Sequence, residues 1–326
     1  MKSSRLFLAA LSMTILSSTA LAQNPAADYP NRPVRVIVPF PPGGATDIVG
    51  RDIADQLSRA LKQPFVVENL SGASGNIGMT TAARSAPDGY TLVVGAPQTL
   101  TINPLLFKSN PFNPQKELTP IAVVATIPNV LIVNPKLPVS SVDELVQYIK
   151  DRPGKVNYGS SSIGGTPHLS SELFKSLTRT DILHIPYRGS SPALTDLMGG
   201  QIDMMFDNLP AALPHIQSGR VKALAVTSAQ RSPAAPDLPT MQEAGVPDFE
   251  SQGWFSLLAP AGTPQPVLEK INLEVNKILA TDAFRQRLSN VGAEPKGGSI
   301  DDFRQLLDTE TQRWAKVVEF ADIKVE

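Results

Sequence analysis

The sequence predicts an α/β fold of two domains with a ligand cleft between them, and three observations carry the prediction. Strand-length apolar runs alternate with segments of helical period, the order that a helix-covered parallel sheet requires. The alternation runs twice, on either side of a long β-branched stretch at 118–135, and 326 residues have room for about two domains. A Gly-Gly corner between a strand and a helix recurs in both halves, as "PFPPGGATD" (39–47) and "GSSSIGGTPH" (159–168).

The first element is an export signal over residues 1–22. Lys2 and Arg5 start it, "LFLAALSMTIL" is its apolar stretch, and Ala20-Leu21-Ala22 forms the cleavage site. That apolar run is shorter than the roughly 20 residues of a membrane span. Cysteine is absent, which excludes disulfides, thiolate metal sites, cysteine nucleophiles and lipid attachment behind the signal. The mature chain, from about Gln23, is therefore expected to be soluble and exported: periplasmic in a two-membrane bacterium, secreted otherwise.

"VRVIVPF" (34–40) is the first strand, followed by a helix whose Val49, Ile53 and Leu57 fall on one face. "PFVVEN" (64–69) is the second strand, "LSGASGNIG" a loop and "MTTAARSA" a short helix. Asp88-Gly89 turns the chain into the strand "YTLVVGA" (90–96). The stretch 118–135, interrupted by Pro128, reads as the crossing into the second domain. Helix "SVDELVQYIKDR" begins there, capped by Ser140 or Ser141, and strand "VNYGS" and helix "LSSELFKSLT" come next. Strand "ILHIPY" leads to helix "LTDLM", which stops at Gly199-Gly200. Strand 201–207, a helix near "PAALPHIQS" and strand 221–228 complete that half. The stretch 250–262 reads as the return crossing, and amphipathic helices at roughly 265–290 and 300–320 close the chain. Domain 1 is then 28–125 plus 250–326, domain 2 is 126–249, and the two crossings make a hinge.

Composition narrows the function. Hydrophobic residues at 42% supply a core, and a net charge of −1 offers no basic field, so nucleic acid is not an expected partner. Neither G-x-G-x-x-G nor G-x-x-x-x-G-K-[ST] occurs; "GASGNIG" spaces its glycines differently and lacks a lysine. With no H-x-x-x-H, HExxH or EF-hand loop, no metal or cofactor is expected.

What the chain does offer is four loops at strand–helix corners: 39–47, 71–78, 159–167 and 187–192. A helix start presents free N–H groups and a partial positive charge, which suits an anion. In open α/β sheets such loops share one crevice beyond the strands' carboxyl ends. Thr166 is read as an N-cap with Pro167 at the first helical position, and Ser191-Pro192 repeats that signature.

Other side chains divide between support and contact. Asp47 reads as a helix-end or loop-bracing acid, ahead of a direct ligand contact, Asp207 as a brace or a partner for a ligand's amine or hydroxyl, and Arg188 as a solvated side chain or a carboxylate partner. Phe40 and Tyr187 are pocket walls or core, and Trp254 is structural. His168 sits at a candidate loop, His184 in an apolar strand and His215 on a helix surface. A secreted hydrolase using a serine in 159–162 is a competing reading, although "GSSSIGG" is not G-x-S-x-G, because Ile163 stands two residues after Ser161. A sensor that passes a ligand signal to a membrane kinase is another.

Several segments in order, "YPNRPVRVIVPFPPGGATDIVGRDIADQL", "VVENLSGASGNIG", "PDGYTL", "YGSSSIGGTPHLSSELF", "PYRGSSPALTDLMGGQIDMMFDNLP" and "LPTMQEAGVPDFE", resemble the tripartite tricarboxylate transporter substrate-binding family, also called Bug proteins. The likeness runs from about residue 28 to the C-terminus. It implies a periplasmic-binding-protein fold of the Venus flytrap kind (type II), monomeric, closing on a small organic carboxylate (a di- or tricarboxylate or an aromatic acid). The carboxylate would pass to a two-subunit membrane permease. By resemblance the ligand contacts in the first domain fall on Phe40, Pro42, Gly43, Gly44, Thr46 and Asp47, with Ala73, Ser74 and Gly75. Those of the second domain fall on Ser160, Gly164, Gly165, Thr166 and His168, and on Tyr187, Arg188 and Gly189, with Asp207 near the ligand's distal group. Ser74 departs from the commonest pattern, which has a second glycine there, and adds a hydroxyl donor.

Overall fold

Val34–Val38 (β1) has Val34, Val36, Ile37 and Val38 fully covered, as a strand between two helix layers must. The computed structural model describes residues 27–107 and 110–320; the export signal expected at 1–22 lies outside them. Ala45–Leu61 (α1) buries Val49, Ile53 and Leu57 on one face and returns the chain to Phe65–Asn69 (β2), which pairs parallel to β1. Asn76–Ala83 (α2) leads to Thr91–Gly95 (β3), parallel to β1 on its other side. A turn of π-helix at Gln98–Ile102 follows, with two short helices, Asn103–Leu106 (α3) and Pro114–Glu117 (α4). The sequence pattern signals none of these three.

The β-branched stretch is one strand, Leu118–Val133 (β4), 16 residues long. Beyond it come Val142–Lys150 (α5), Val156–Ser160 (β5), Thr166–Thr178 (α6), Ile182–Pro186 (β6), Ser190–Gly199 (α7), Met204–Asn208 (β7), Leu209–Gln217 (α8) and Lys222–Val226 (β8). Ser141 is the cap of α5: its hydroxyl accepts from the Glu144 N–H, while the Glu144 carboxylate accepts from the Ser140 N–H one residue before the cap. The expected strand at 201–207 is shorter and later, because β7 begins at Met204. Gln252–Pro260 (β9) returns the chain to the first sheet. The segment expected as one helix at 265–290 is two, Gln265–Ala280 (α9) and Asp282–Asn290 (α10). The Thr281 hydroxyl caps the second by accepting from the Phe284 N–H. A two-residue strand, Glu294–Pro295 (β10), and Ile300–Phe320 (α11) complete the described chain.

The strand order is β2-β1-β3-β9-β4-β7-β5-β6, with β8 and β10 also on β4. Parallel pairing holds for β1 with β2 and β3 and for β5 with β6 and β7; every partner of β4 is antiparallel. The first part of β4 pairs with β9 as far as Pro128↔Gln252, and from Asn129 onward it pairs with β7 and β8. Proline offers no N–H to a ladder, so Pro128 fits where pairing passes from one sheet to the next. Each sheet has its own core. Ile53, Leu57, Val94 and Ile271 belong to one, and Leu145, Tyr158, Phe174 and Phe206 to the other. Trp254 is structural: its indole N–H, like that of Trp314, donates to the buried Glu310 carboxylate. Among the described residues no helix is long and apolar enough to cross a membrane.

Candidate ligand cleft

Four helices begin at one place. The residues that precede α1, α6, α7 and α8 are Gly44, Gly165, Gly189 and Asn208, and all four line a single cavity of about 80 Å³ between the two sheets. Among the described residues no side chain caps any of these helices. Their first turns therefore keep amide N–H groups and the positive end of the helix dipole for whatever enters. The expected cap at Thr166 is corrected: Gly165 holds that place, Thr166 is the first helical residue and Pro167 the second. With glycine at the cap, no side chain competes for the amides.

Glycine also lets the walls meet. Gly189 has φ +118°, closed to other residues, and a Cβ there would lie 3.3 Å from Pro41 on the opposite wall. The rest of the lining is apolar, as at Phe40, Pro97 and Phe255, or neutral and polar, as at Thr46, Ser161, Ser162 and Ser190. No charged side chain lines the cavity among the described residues. An anion there meets amides, hydroxyls and helix ends.

Of the residues expected at the site, Phe40, Pro42, Gly44, Thr46, Gly165, Thr166 and Gly189 line the cavity. Others stand one layer behind. Asp47 accepts from the Gly43 N–H (3.0 Å) and from the Asn69 amide (2.8 Å), and its carboxylate pairs with Arg51 Nε (2.9 Å). Burial alone would raise its pKa; the hydrogen bonds from Arg51, Asn69 and Gly43 outweigh it and hold the carboxyl below its ordinary range. Asn69 also donates to the Phe40 carbonyl (3.0 Å), so Asp47 and Asn69 together fix the wall.

Ala73, Ser74 and Gly75 lie outside the lining. Ala73 and Ser74 are left-handed (φ 47° and 54°), and the Asn103 amide donates to the Ser74 carbonyl. A Cβ at Gly75 would meet Phe40 at 3.1 Å, so this loop buttresses Phe40 from behind.

In the second sheet, Ser160 is fully buried with its Oγ 2.7 Å from His184 Nε2. The Gly164 N–H donates to His168 Nδ1 (3.2 Å), and the His168 ring stacks on His184 at 4.3 Å. Burial drives both imidazoles down to about 4, with the other charges of this cluster contributing, so His168 is a neutral brace for the Gly164 turn. Tyr187 turns its hydroxyl to Asp196 (2.7 Å), and Arg188 is exposed beside the lining. Asp207 is fully buried; its Oδ1 accepts from the Ser190 hydroxyl (2.8 Å) and the Asn208 N–H (2.9 Å), while Oδ2 has no hydrogen-bond partner among the described residues. Burial raises it to about 7 against those two bonds. Gln98, Asn208, Gly253 and Phe255 line the cavity although nothing singled them out in the sequence. Gln98 could have been found from its place just beyond the carboxyl end of β3.

Two sheets joined through β4 and β9, with helix starts from each facing one uncharged cavity, define the class: a two-domain periplasmic-binding-protein fold. Within it the chain belongs to the tripartite tricarboxylate transporter receptor family, whose model matches residues 49–323. It is 40% identical to Protein BugT of Bordetella pertussis over 320 residues, 98% of each chain. Among solved structures it is similar to "R. palustris Rpa4515 with adipate" (42% identity, TM-score 0.90, 91% of this chain and 99% of that one). It is also similar to MatC of Rhodopseudomonas palustris with bound malate (35% identity, TM-score 0.83, 89% of this chain and 100% of that one).

Proposed function

We propose that this chain is an exported solute receptor that captures a small organic carboxylate, a dicarboxylate first among them, and hands it to a two-subunit permease. One observation carries the reading: helix starts from both sheets converge on a cavity with no charged side chain in its lining among the described residues. Two similar receptors were solved with adipate and with malate, both dicarboxylates.

The lobes of the clamp are 28–125 plus 250–326 and 126–249, hinged where β4 and β9 cross. Two or three charge-assisted hydrogen bonds of about 1.5–3 kcal/mol each, with modest apolar burial, reach about −8 kcal/mol, a micromolar affinity. The ligand contacts both lobes only when they are shut, so it favours that state, which the permease then reads. The protein binds and does not turn over its guest: Ser161 and Ser162 reach the cavity with neither histidine nor carboxylate side chain beside them in its lining. It is a periplasmic monomer, freed by cleavage behind residue 22 and, lacking cysteine, without a lipid.

Calorimetric titration of the mature chain with adipate, malate, citrate and benzoate tests this, with dimethyl adipate as the uncharged control. Saturable one-to-one binding of at least one acid, and none of the ester, is expected. No heat with any of the acids, or turnover of generic esters lost in Ser161→Ala, would overturn it.

A further inference from the structure

One side chain in the cleft holds both walls. Gln98 begins the π-helical turn after β3, on the first sheet's side, and is 5% exposed. Its Nε2 donates to the Ile163 carbonyl (2.9 Å), and its Oε1 accepts from the Ser162 hydroxyl (2.8 Å). Both partners belong to the turn between β5 and α6, on the second sheet's side. A Cβ on Gly165 would stand 3.2 Å from Gln98 Oε1, so that turn sits directly against the amide. Ser170 also joins the two sides by donating to the Ser251 hydroxyl (2.8 Å), but that bond is at the return crossing, not across the cavity.

A carboxamide is suited to this place. It donates at one end and accepts at the other, and the opposite wall supplies a carbonyl and a hydroxyl to match. Both bonds are neutral and nearly buried, so they need no counter-charge and add no net charge to the cavity. Neither bond survives separation of the two walls, so both count only in the shut arrangement.

We propose that Gln98 is a positioning residue for the clamp: a latch that holds the lobes shut without ligand and fixes the width at which they meet. The inference rests on the reading of this cavity as the ligand site. It assigns part of the closing free energy to the protein itself, so that a guest has only to complete a closure already favoured. Loss of both bonds shifts the open-to-shut ratio toward open by about tenfold or more, at the usual worth of neutral hydrogen bonds.

The absence of cysteine makes the test clean. Ile77 and Leu183, each more than half exposed and on opposite sides of the hinge, are replaced as Ile77→Cys and Leu183→Cys and labelled with nitroxides. Pulsed electron paramagnetic resonance then reads the distance between the labels with no ligand present. A longer, broader distribution is expected in Gln98→Leu, and an intermediate one in Ser162→Ala, which removes one of the two bonds. Distributions that match the parent in both variants would overturn the latch. Should Gln98→Leu fail to fold by circular dichroism, Ser162→Ala decides alone: widening supports the latch and an unchanged distance refutes it. Addition of adipate or malate to folded Gln98→Leu reads the ligand assignment separately. Shortening supports that assignment, and a distance unmoved by either acid counts against it while the ligand-free comparison still judges the latch.

Discussion

Asp207 and His168 lie just behind the cavity wall and titrate in opposite senses. The Asp207 carboxyl is raised by burial to about 7, so between its ordinary 3.8 and that value the folded state holds a proton that the unfolded chain has lost. Its contribution to stability is complete below the ordinary value and disappears as pH rises through 7. His168 is lowered by burial to about 4 from an ordinary 6.5, so there the unfolded chain holds the extra proton. Its contribution is complete above 6.5 and is lost as pH falls toward 4. From pH 7 down to 4.5 the two oppose each other. Removal of Asp207 by Asp207→Asn therefore exposes the histidine loss, and thermal melts across that interval should fall more steeply than the parent's by several degrees, at about 2 °C per kcal/mol for a long chain. His168→Gln should flatten the same curve. Parallel curves for parent and Asp207→Asn would contradict the assignment.

At the scale of elements, the start of α7 depends on a backbone that only glycine adopts comfortably. Gly189→Ala forces φ +118° on a residue with a side chain and presses its Cβ toward Pro41. Such strain costs about 1–3 kcal/mol. It should lower the thermal midpoint and weaken binding of the acid that calorimetry selects by about tenfold or more; an unchanged midpoint and affinity would contradict the role given to that helix start. Elements such as α1 and β1 were legible because their signals are local: a Gly-Gly corner, a helical apolar stripe, a strand buried on both faces. The single long β4 was not, because its partner is distant in sequence; Pro128 pairs with Gln252, and no local pattern reports that register. The cavity was legible as loops more than as side chains. Thr166 faces the cavity, and two residues on along a helix is about 200° of rotation, so His168 points away into the Gly164 turn. Ala73–Gly75 has the glycine-rich look of a contact loop, yet its place behind Phe40 is decided by the packing of Gln98–Asn103 against it.

The whole molecule is a pair of sheets that share β4, and its hinge and its cavity are wired together. At the point where pairing passes between sheets, Asn129 is fully buried. Its amide nitrogen donates to Ser170 Oγ (2.8 Å), and its Oδ1 accepts from the cavity residue Asn208 (2.6 Å). Its backbone exchanges bonds with Thr227, whose carbonyl takes the Ser251 N–H just before β9. Buried polar networks of this kind are satisfied in one arrangement and costly to leave half-made. They give a two-sheet clamp a defined axis about which to close. The central claim is that this closure brings main-chain amides from both lobes onto one carboxylate. The most direct measurement is a crystal structure of the mature chain grown with adipate or with the acid that calorimetry selects. The account predicts a carboxylate oxygen within about 2.7–3.2 Å of first-turn N–H groups of α1 on one side and of α6 or α7 on the other. A carboxylate held by Arg188 or another cationic side chain, or seated away from those helix starts, would contradict it.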